Sequence, residues 1–332
     1  MGSFPTHRAA AFVKTAGEPR FEATIPREFA HKRAVEEIFL TDVIVDQQRE
    51  RVLACAQLPR SHALYNEIEN GVHDLLLILE TGRQGMTIYG HVRLEVPEET
   101  AFVMNGLRVE VIDLEAMRQG DSPGELVIDV PFGEERRDGK GRVRGYTLKG
   151  TGRIDGRPAI EINGEAMLIP AALYERLRSV HIDDGTEIPP RPEPVDPTRV
   201  GRRSPRNVVV GDAVRSNGEL RCALIADTTH PSFFDHPLDH VPGMLMLETA
   251  RQAALLYVHE LGWSPTETVL EACEAHFTQY AALSPPASCR VCPGERPPVA
   301  GAAPAEWLRA HFAQADVDIG HVDLRLRRIE GR

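Results

Sequence analysis

The chain has 332 residues, 42% of them hydrophobic and 26% charged, with a formal net charge of −11. That balance belongs to a globular protein with room for two domains of about 150 residues, and the negative excess argues against nucleic acid or an anionic membrane as main partner. No apolar run is long enough to span a membrane, no signal-peptide core opens the chain, and five scattered cysteines suit a reducing cytoplasm.

Residues 1–30 have no clear period and scattered prolines, the pattern of an arm. From Val35 the pattern turns β-like. "EEIFLTDVIVD" and "ERVLACAQL" are predicted strands around the polar turn "DQQRE". The unbroken apolar run Leu75–Leu79 predicts a buried helix over about 75–90. Gly82 and Gly85 weaken it by roughly 1 kcal/mol each relative to Ala. Strands follow in "GHVRLEV", "FVMNGLRVEVIDL", "ELVIDVPFGEE", "RVRGYTLKGTGRI" and "RPAIEINGEAMLI", then a short helix, "PAALYERLRSV". Residues 182–205 are rich in Pro and charge, a linker composition. The order then restarts with strands in "RNVVVGDAV" and "ELRCALIA". A loop and a long helix, "MLMLETARQAALLYVHELG", come next, with strands in "VLEACEAHFTQYAAL", "SCRVCP" and "ADVDIGHVDLRLRRIE".

The restart is a repeat. His62, Glu80, Arg83 and Gln84 recur as His230, Glu248, Arg251 and Gln252, each 168 residues later, close to half the chain. A common offset with matching upstream elements points to duplication. A long helix after two strands, wrapped by an antiparallel sheet, is the hot-dog arrangement. The fold expectation is therefore α+β, a tandem double hot-dog packed as a pseudo-dimer. Its expected parts are an arm (1–30), a first domain (31–181), a linker (182–205) and a second domain (206–332).

The stretch "FFDHPLDHVPGMLMLE" carries the chemistry. Asp239 or His240 can cap the helix, and Pro242 suits its first position. Gly243 allows close approach by a backbone or ligand. Unpaired N–H groups at such a start can stabilise the oxyanion of an attacked thioester. The stretch resembles the active-site segment of hot-dog 3-hydroxyacyl-carrier-protein dehydratases, where a His and an acidic residue are the catalytic groups. Pro242 and Gly243 match that family's Pro-Gly, Glu248 its helix carboxylate, and His236 its histidine. A closer resemblance is to the AfsA-type A-factor synthases, which have two tandem hot-dog repeats. "DHPLDHVPGMLMLETARQ" carries it in the second half, and "EIFLTD" with "HDLLLILETGRQ" in the first. It covers most of residues 30–330. It implies transfer of a β-ketoacyl group from acyl carrier protein to the hydroxyl of dihydroxyacetone phosphate, on the way to γ-butyrolactone signals. A dehydratase or thioesterase on acyl thioesters, or a non-catalytic acyl or lactone binder, is the alternative.

Acyl transfer to a hydroxyl needs a base, an oxyanion stabiliser and a grip on the acceptor. Glu248 is a candidate base, since burial raises a carboxylate pKa while a nearby Arg lowers it. It is equally placed for an i, i+3 pair with Arg251. Arg251 can hold a phosphate or neutralise Glu248. His236 is a candidate base or positions the thioester, and Asp239 and His240 cap or take part. Glu80 and Arg83, behind His73 and Asp74, either complete that site or build a second one. Phe233 and Phe234 read as core or acyl-channel lining. The arginines at 202, 203, 206, 136, 137, 142 and 144 read as solvated loops, one cluster of which could dock an acidic carrier protein. No nucleophile elbow appears, and no cofactor is expected. The lone Cys289-x-x-Cys292 does not argue for a metal. The expected location is cytoplasmic and the expected assembly a pseudo-dimeric monomer or a homodimer.

Overall fold

In a computed structural model that describes residues 12–170, 173–174, 191–294 and 305–329, the run Leu75–Leu79 opens helix α1 (Leu75–Arg93). Asp74 caps it, its Oδ1 accepting from the Leu76 N–H at 2.8 Å. The helix continues through 90–93, where a strand is predicted. Met86, Tyr89 and Val92 are all buried, so the helical period persists past Gly90. The Val96 N–H then donates to Gly90 O and ends it.

The residues divide into two compact units, the first drawn from Met1–Arg60 and Leu77–Ile182, the second from Ser61–Leu76 and Asp183–Arg332. Unit 1 holds β1 (Val13–Lys14), β2 (Leu40–Asp46), β3 (Arg51–Leu58), β4 (Ala101–Val111), β5 (Gly124–Pro131), β6 (Glu134–Arg137), β7 (Val143–Ile154) and β8 (Arg157–Ile169). Its sheet order is β1-β2-β3-β5-β7-β8-β4, with β6 pairing β7. The pairs are antiparallel except β1–β2.

Unit 2 holds β9 (Val210–Ser216), β10 (Glu219–Leu224), helix α2 (Gly243–His259), β11 (Thr268–Phe277), β12 (Ser288–Pro293), β13 (Ala305–Gln314) and β14 (Val317–Arg328). The antiparallel order is β11-β14-β13-β12-β10-β9. Strand β13 is absent from the predicted strands. Its inward residues Leu308, Ala310 and Phe312 alternate with Trp307, Arg309 and His311, a mixture too polar to stand out. The expected helix over 170–180 and the first eleven residues of the arm lie largely or wholly outside the described residues.

Each unit is a long buried helix against an antiparallel sheet, and the helices start 168 residues apart. Both glutamines tie helix to sheet in the same way. Gln84 accepts from Phe39 N–H and donates to Glu37 O; Gln252 accepts from Val209 N–H and donates to Asn207 O. His62 and His230 repeat too, each Nδ1 accepting two following backbone N–H groups. Such shared detail is what a duplication predicts.

The β11–β14 ladder imposes one tight point. Gly320 has φ +139, and a Cβ there would lie 2.1 Å from the His276 carbonyl oxygen. Both the dihedral and the space exclude a side chain. Gly320→Ala is expected to destabilise unit 2 by about 1–3 kcal/mol, read as a lower urea midpoint in equilibrium unfolding.

Candidate active site

The second unit's helix carries its charge inward. Glu248, 1% exposed, lies on a helix whose neighbours Leu245, Met246, Leu247 and Ala250 are all buried. A lone carboxylate there would be far too costly to ionise. The fold surrounds it with donors. Arg202 Nη2 and Gln252 Nε2 bond its Oε1, and Arg251 Nη2 bonds its Oε2. Arg251 Nη1 reaches Asp74 Oδ2 at 2.5 Å. Arg202 Nη1 donates to Leu64 O at 2.6 Å and faces Glu67 Oε2 at 3.4 Å. Asn207 Nδ2 donates to the same Glu67 oxygen at 2.7 Å, and its Oδ1 meets His230 Nε2 at 3.0 Å.

Burial pushes the Glu248 pKa up, but the Arg202 and Arg251 charges and their hydrogen bonds outweigh it, and the pKa lies below its ordinary value. Burial likewise opposes the Arg251 charge, and Asp74 and Glu248 more than restore it. The charged forms of Glu248 and Arg251 are thus mutually favoured. Both Glu248 oxygens are engaged, which suits an anion holding cations in place. Arg251 gives both terminal nitrogens to carboxylates, while its Nε has no partner among the described residues. Arg251 and Asp74 also line a cleft of mixed polar and apolar walls, with Tyr65, Asn70, His73 and Leu255.

Arg202 corrects an expectation. It reads as a solvated loop residue in sequence, yet it is 1% exposed. Residues 197–200 form a 3₁₀ turn capped by Asp196, which accepts from Thr198 N–H at 2.9 Å. Gly201 follows with φ +70, and Glu67 Oε1 accepts from the backbone N–H groups of Arg203 and Ser204. That anchored turn delivers Arg202 to the helix carboxylate. Arg203 and Arg199 stay on the surface, paired with Glu69 and Glu260.

Unit 1 repeats the arrangement with weaker parts. Arg83 grips both Glu80 oxygens, Nε at 2.7 Å and Nη2 at 2.8 Å. Gln84 adds a bond at 3.0 Å, and Lys32 sits 3.2 Å away in the place that Arg202 takes in unit 2. Burial raises the Glu80 pKa, but Arg83 and Lys32 override it and hold it at about 2.

The loop before α2 is built differently. His236 Nδ1 lies 2.8 Å from Asp235 Oδ1. A carboxylate only accepts, so Nδ1 carries a proton, and Nε2 is the ring nitrogen left outside this bond. The Asp235 side chain is buried while that of His236 is 30% exposed. This is an orienting acid behind a reachable imidazole. Asp239 and His240 form a more exposed pair at 2.9 Å, and the His240 ring stands edge-on to Tyr280. Neither caps the helix. Pro242 occupies the cap position itself with no side-chain bond, one place earlier than predicted, because the Val241 N–H pairs with Ala281 O and holds the lead-in extended. Around a Cβ built on Gly243, no described protein atom lies within 4 Å, so no backbone approaches there. Phe233 and Phe234 are buried.

The structure thus joins Glu248, Arg251, Gln252 and Asp74 in one cluster, and Glu80, Arg83 and Gln84 in another. His236, Asp239 and His240 belong to the loop, each histidine bonded to the preceding aspartate. Arg202, Glu67, Asn207 and Asp235 are absent from the sequence-derived candidates. The D-H dipeptide at 235–236 is the one signal that could have found Asp235.

Removing Glu248 leaves two buried guanidinium groups short of an anion. Glu248→Ala is expected to lose about 3–5 kcal/mol of stability, measured by chemical unfolding. The depressed Glu80 pKa contributes stability above its unfolded value of 4.5, and that contribution disappears as pH falls toward about 2. Its full size is on the order of 3 kcal/mol. Glu80→Gln should flatten the acid limb of the stability–pH curve between those limits while lowering stability at neutral pH.

Residues 13–170 and 184–330 each match the A-factor biosynthesis hotdog domain. A 2-oxo-3-(phosphooxy)propyl 3-oxoalkanoate synthase of Streptomyces virginiae is 35% identical over 265 residues, 80% of this chain and 85% of that protein. The synthase of the same name from Streptomyces coelicolor is 30% identical over 278 residues, 83% and 84% of the two chains. Among solved structures, one described as an oleoyl thioesterase of Lactobacillus plantarum aligns with a TM-score of 0.50 at 12% identity, covering 84% of this chain and 97% of that one. That last likeness concerns the fold alone.

Proposed function

This chain belongs to the A-factor biosynthesis hotdog family, with two copies of the domain, and from that premise we propose that it is an acyltransferase acting on 3-oxoacyl groups. It moves the acyl group from a carrier-protein thioester to the hydroxyl of dihydroxyacetone phosphate, as the synthase relatives' name describes the product. Identity of 30–35% across some four-fifths of both chains carries this reading.

We assign the base to His236. Its Nε2 takes the proton of the acceptor hydroxyl as the oxygen attacks the thioester carbonyl. The new C–O bond forms, the C–S bond breaks, and the proton passes from the imidazolium to the departing thiolate. The developing oxyanion is held by N–H groups of the α2 start at Gly243 and Met244, where the helix dipole is positive and no side chain competes as a cap. Asp235 fixes the tautomer of His236. Glu248, Arg202 and Arg251 are positioning residues that lock the first turns of α2. Glu80 and Arg83 do the same for α1. Asp239 and His240 border the entrance to the helix start.

Purified protein given a medium-chain 3-oxoacyl carrier protein and dihydroxyacetone phosphate should release carrier thiol and form a phosphorylated ester, both seen by mass spectrometry. Thiol release with free 3-oxo acid as the only product would replace transfer by hydrolysis. His236→Ala should lower kcat by about 10²–10⁴ without unfolding the protein. Asp235→Asn should lower kcat less and shift its pH profile. An unchanged rate in His236→Ala would remove it from the base role.

A further inference from the structure

Unit 1 has a turn that duplication alone does not explain. In both units a short 3₁₀ turn delivers a cation to the helix carboxylate, Lys32 after residues 27–30 and Arg202 after residues 197–200. The closing bonds are the same. His31 and Lys32 N–H donate to Glu28 O and Arg27 O, and Gly201 and Arg202 N–H donate to Thr198 O and Pro197 O. The residue before each cation is left-handed, with φ +53 at His31 and φ +70 at Gly201. Glycine adopts that conformation without strain, and histidine does not. An imidazole kept at 31 calls for a compensating contact.

The ring makes one. His31 Nε2 lies 2.9 Å from the Nε2 of His91, near the end of α1. His91, 4% exposed, gives its Nδ1 to Val96 O at 2.8 Å. A carbonyl only accepts, so His91 Nδ1 carries a proton, and a neutral His91 offers Nε2 as acceptor to the Nε2–H of His31. Phe29 and Phe102 close around the two rings. Unit 2 has only half of this pair. His259 stands 168 residues beyond His91 and meets Trp263 O at 3.3 Å, but the turn there carries glycine. The space between the two Nε2 atoms of unit 1 holds one hydrogen. With one ring charged, one donates and the other accepts. With both charged, two N–H groups point at each other across 2.9 Å, and the pair must part.

We propose that His31 and His91 form a proton-sensitive latch, holding the turn 27–32 on α1 at neutral pH and releasing it, with Lys32, on mild acidification. The unfolded chain takes up both protons near an ordinary value of about 6.5. Burial, the largest influence, holds His91 below that value, against its bond to Val96 O and the charges of Glu98 and Glu99. On the turn's side the charged groups are Arg27, which bonds Arg33 O, the exposed Glu28, and Lys32, which pairs with Glu80. Below about pH 6.5 the latched state therefore binds fewer protons than the released one, so the latch is firm above that pH and weakens as pH falls. Release takes one cation from Glu80 and leaves it Arg83 and Gln84. It comes well above the pH of about 2 at which Glu80 itself is protonated. The latch does not depend on the acyl-transfer reading.

The test is amide hydrogen exchange on the full chain between pH 7 and pH 5, resolved to single residues and corrected for intrinsic rates. Protection of the His31 and Lys32 amides should fall by about tenfold or more over that range, one proton's worth per pH unit. The Gly201 and Arg202 amides of the same molecules should keep theirs. His31→Gly puts the unit 2 residue into the turn, and His91→Gln keeps a donor for Val96 O without a titrating ring. Both variants should abolish the pH dependence at 31 and 32. No loss of protection in wild type, an equal loss at 201 and 202, or a loss that persists undiminished in a folded variant would overturn the proposal. Should one variant fail to fold, the other decides.

Discussion

A carboxylate at the core of a buried helix must be matched by cations, and much of unit 2 is arranged around that demand. Glu248 draws Arg251 from its own helix and Arg202 from the turn at 197–202. Those two cations need further anions, and Asp74 and Glu67 supply them. Glu67 in turn holds Asn207, and Asn207 holds His230. One chain of polar contacts thus runs from the segment 61–76 through α2 to the loop after β10. Such clusters are poor sources of net stability, because desolvation offsets attraction. Their worth lies in position. With three carboxylates and two guanidinium groups interlocked, the helix has one depth and one rotation at which every group is matched.

That constraint separates rigidity from reactivity. Glu248 has both oxygens occupied and its charged form favoured, which suits a fixed anion. In the proposed transfer the exchangeable lone pair is that of His236, in the loop ahead of that helix and bonded to Asp235. A base must be reachable by its substrate and poised near neutrality. A buried, doubly cation-bound carboxylate is poorly reachable, whereas the His236 side chain is 30% exposed behind a buried aspartate.

Much of this was legible in sequence because repetition amplifies weak signals. The LET-x-RQ copies located both helices, the 168-residue offset located the duplication, and the run "HPLDHVPG" located the loop that heads α2. What stayed hidden were partners brought together only by the fold. Arg202 sits in a stretch whose Pro and charge content reads as linker, and nothing local reveals that Asp196 and Glu67 fold it inward. Residues 90–93 read as a strand because four residues cannot display a helical period, whereas Met86, Tyr89 and Val92 share one buried face. The sign of the Glu248 pKa shift was likewise undecidable from composition. Burial and neighbouring charge oppose each other, and a second cation, Arg202, decides the outcome.

The two units have kept the clamp and diverged around it. The first helix retains glycine where the second has alanine, and its sheet-facing side borders an apolar space. The second helix is packed with small apolar residues, while its N-terminal loop carries the Asp-His pairs and the open Gly243 start. A single symmetric unit would have to satisfy both requirements on one helix. Apolar packing and polar groups compete on one helix, since burying the polar groups deepens their desolvation. Duplication removes that conflict. Each copy keeps the buried Glu-Arg-Gln that seats its helix, and beyond it the first helix carries glycines where the second has alanines, while the second is headed by the Asp-His loop.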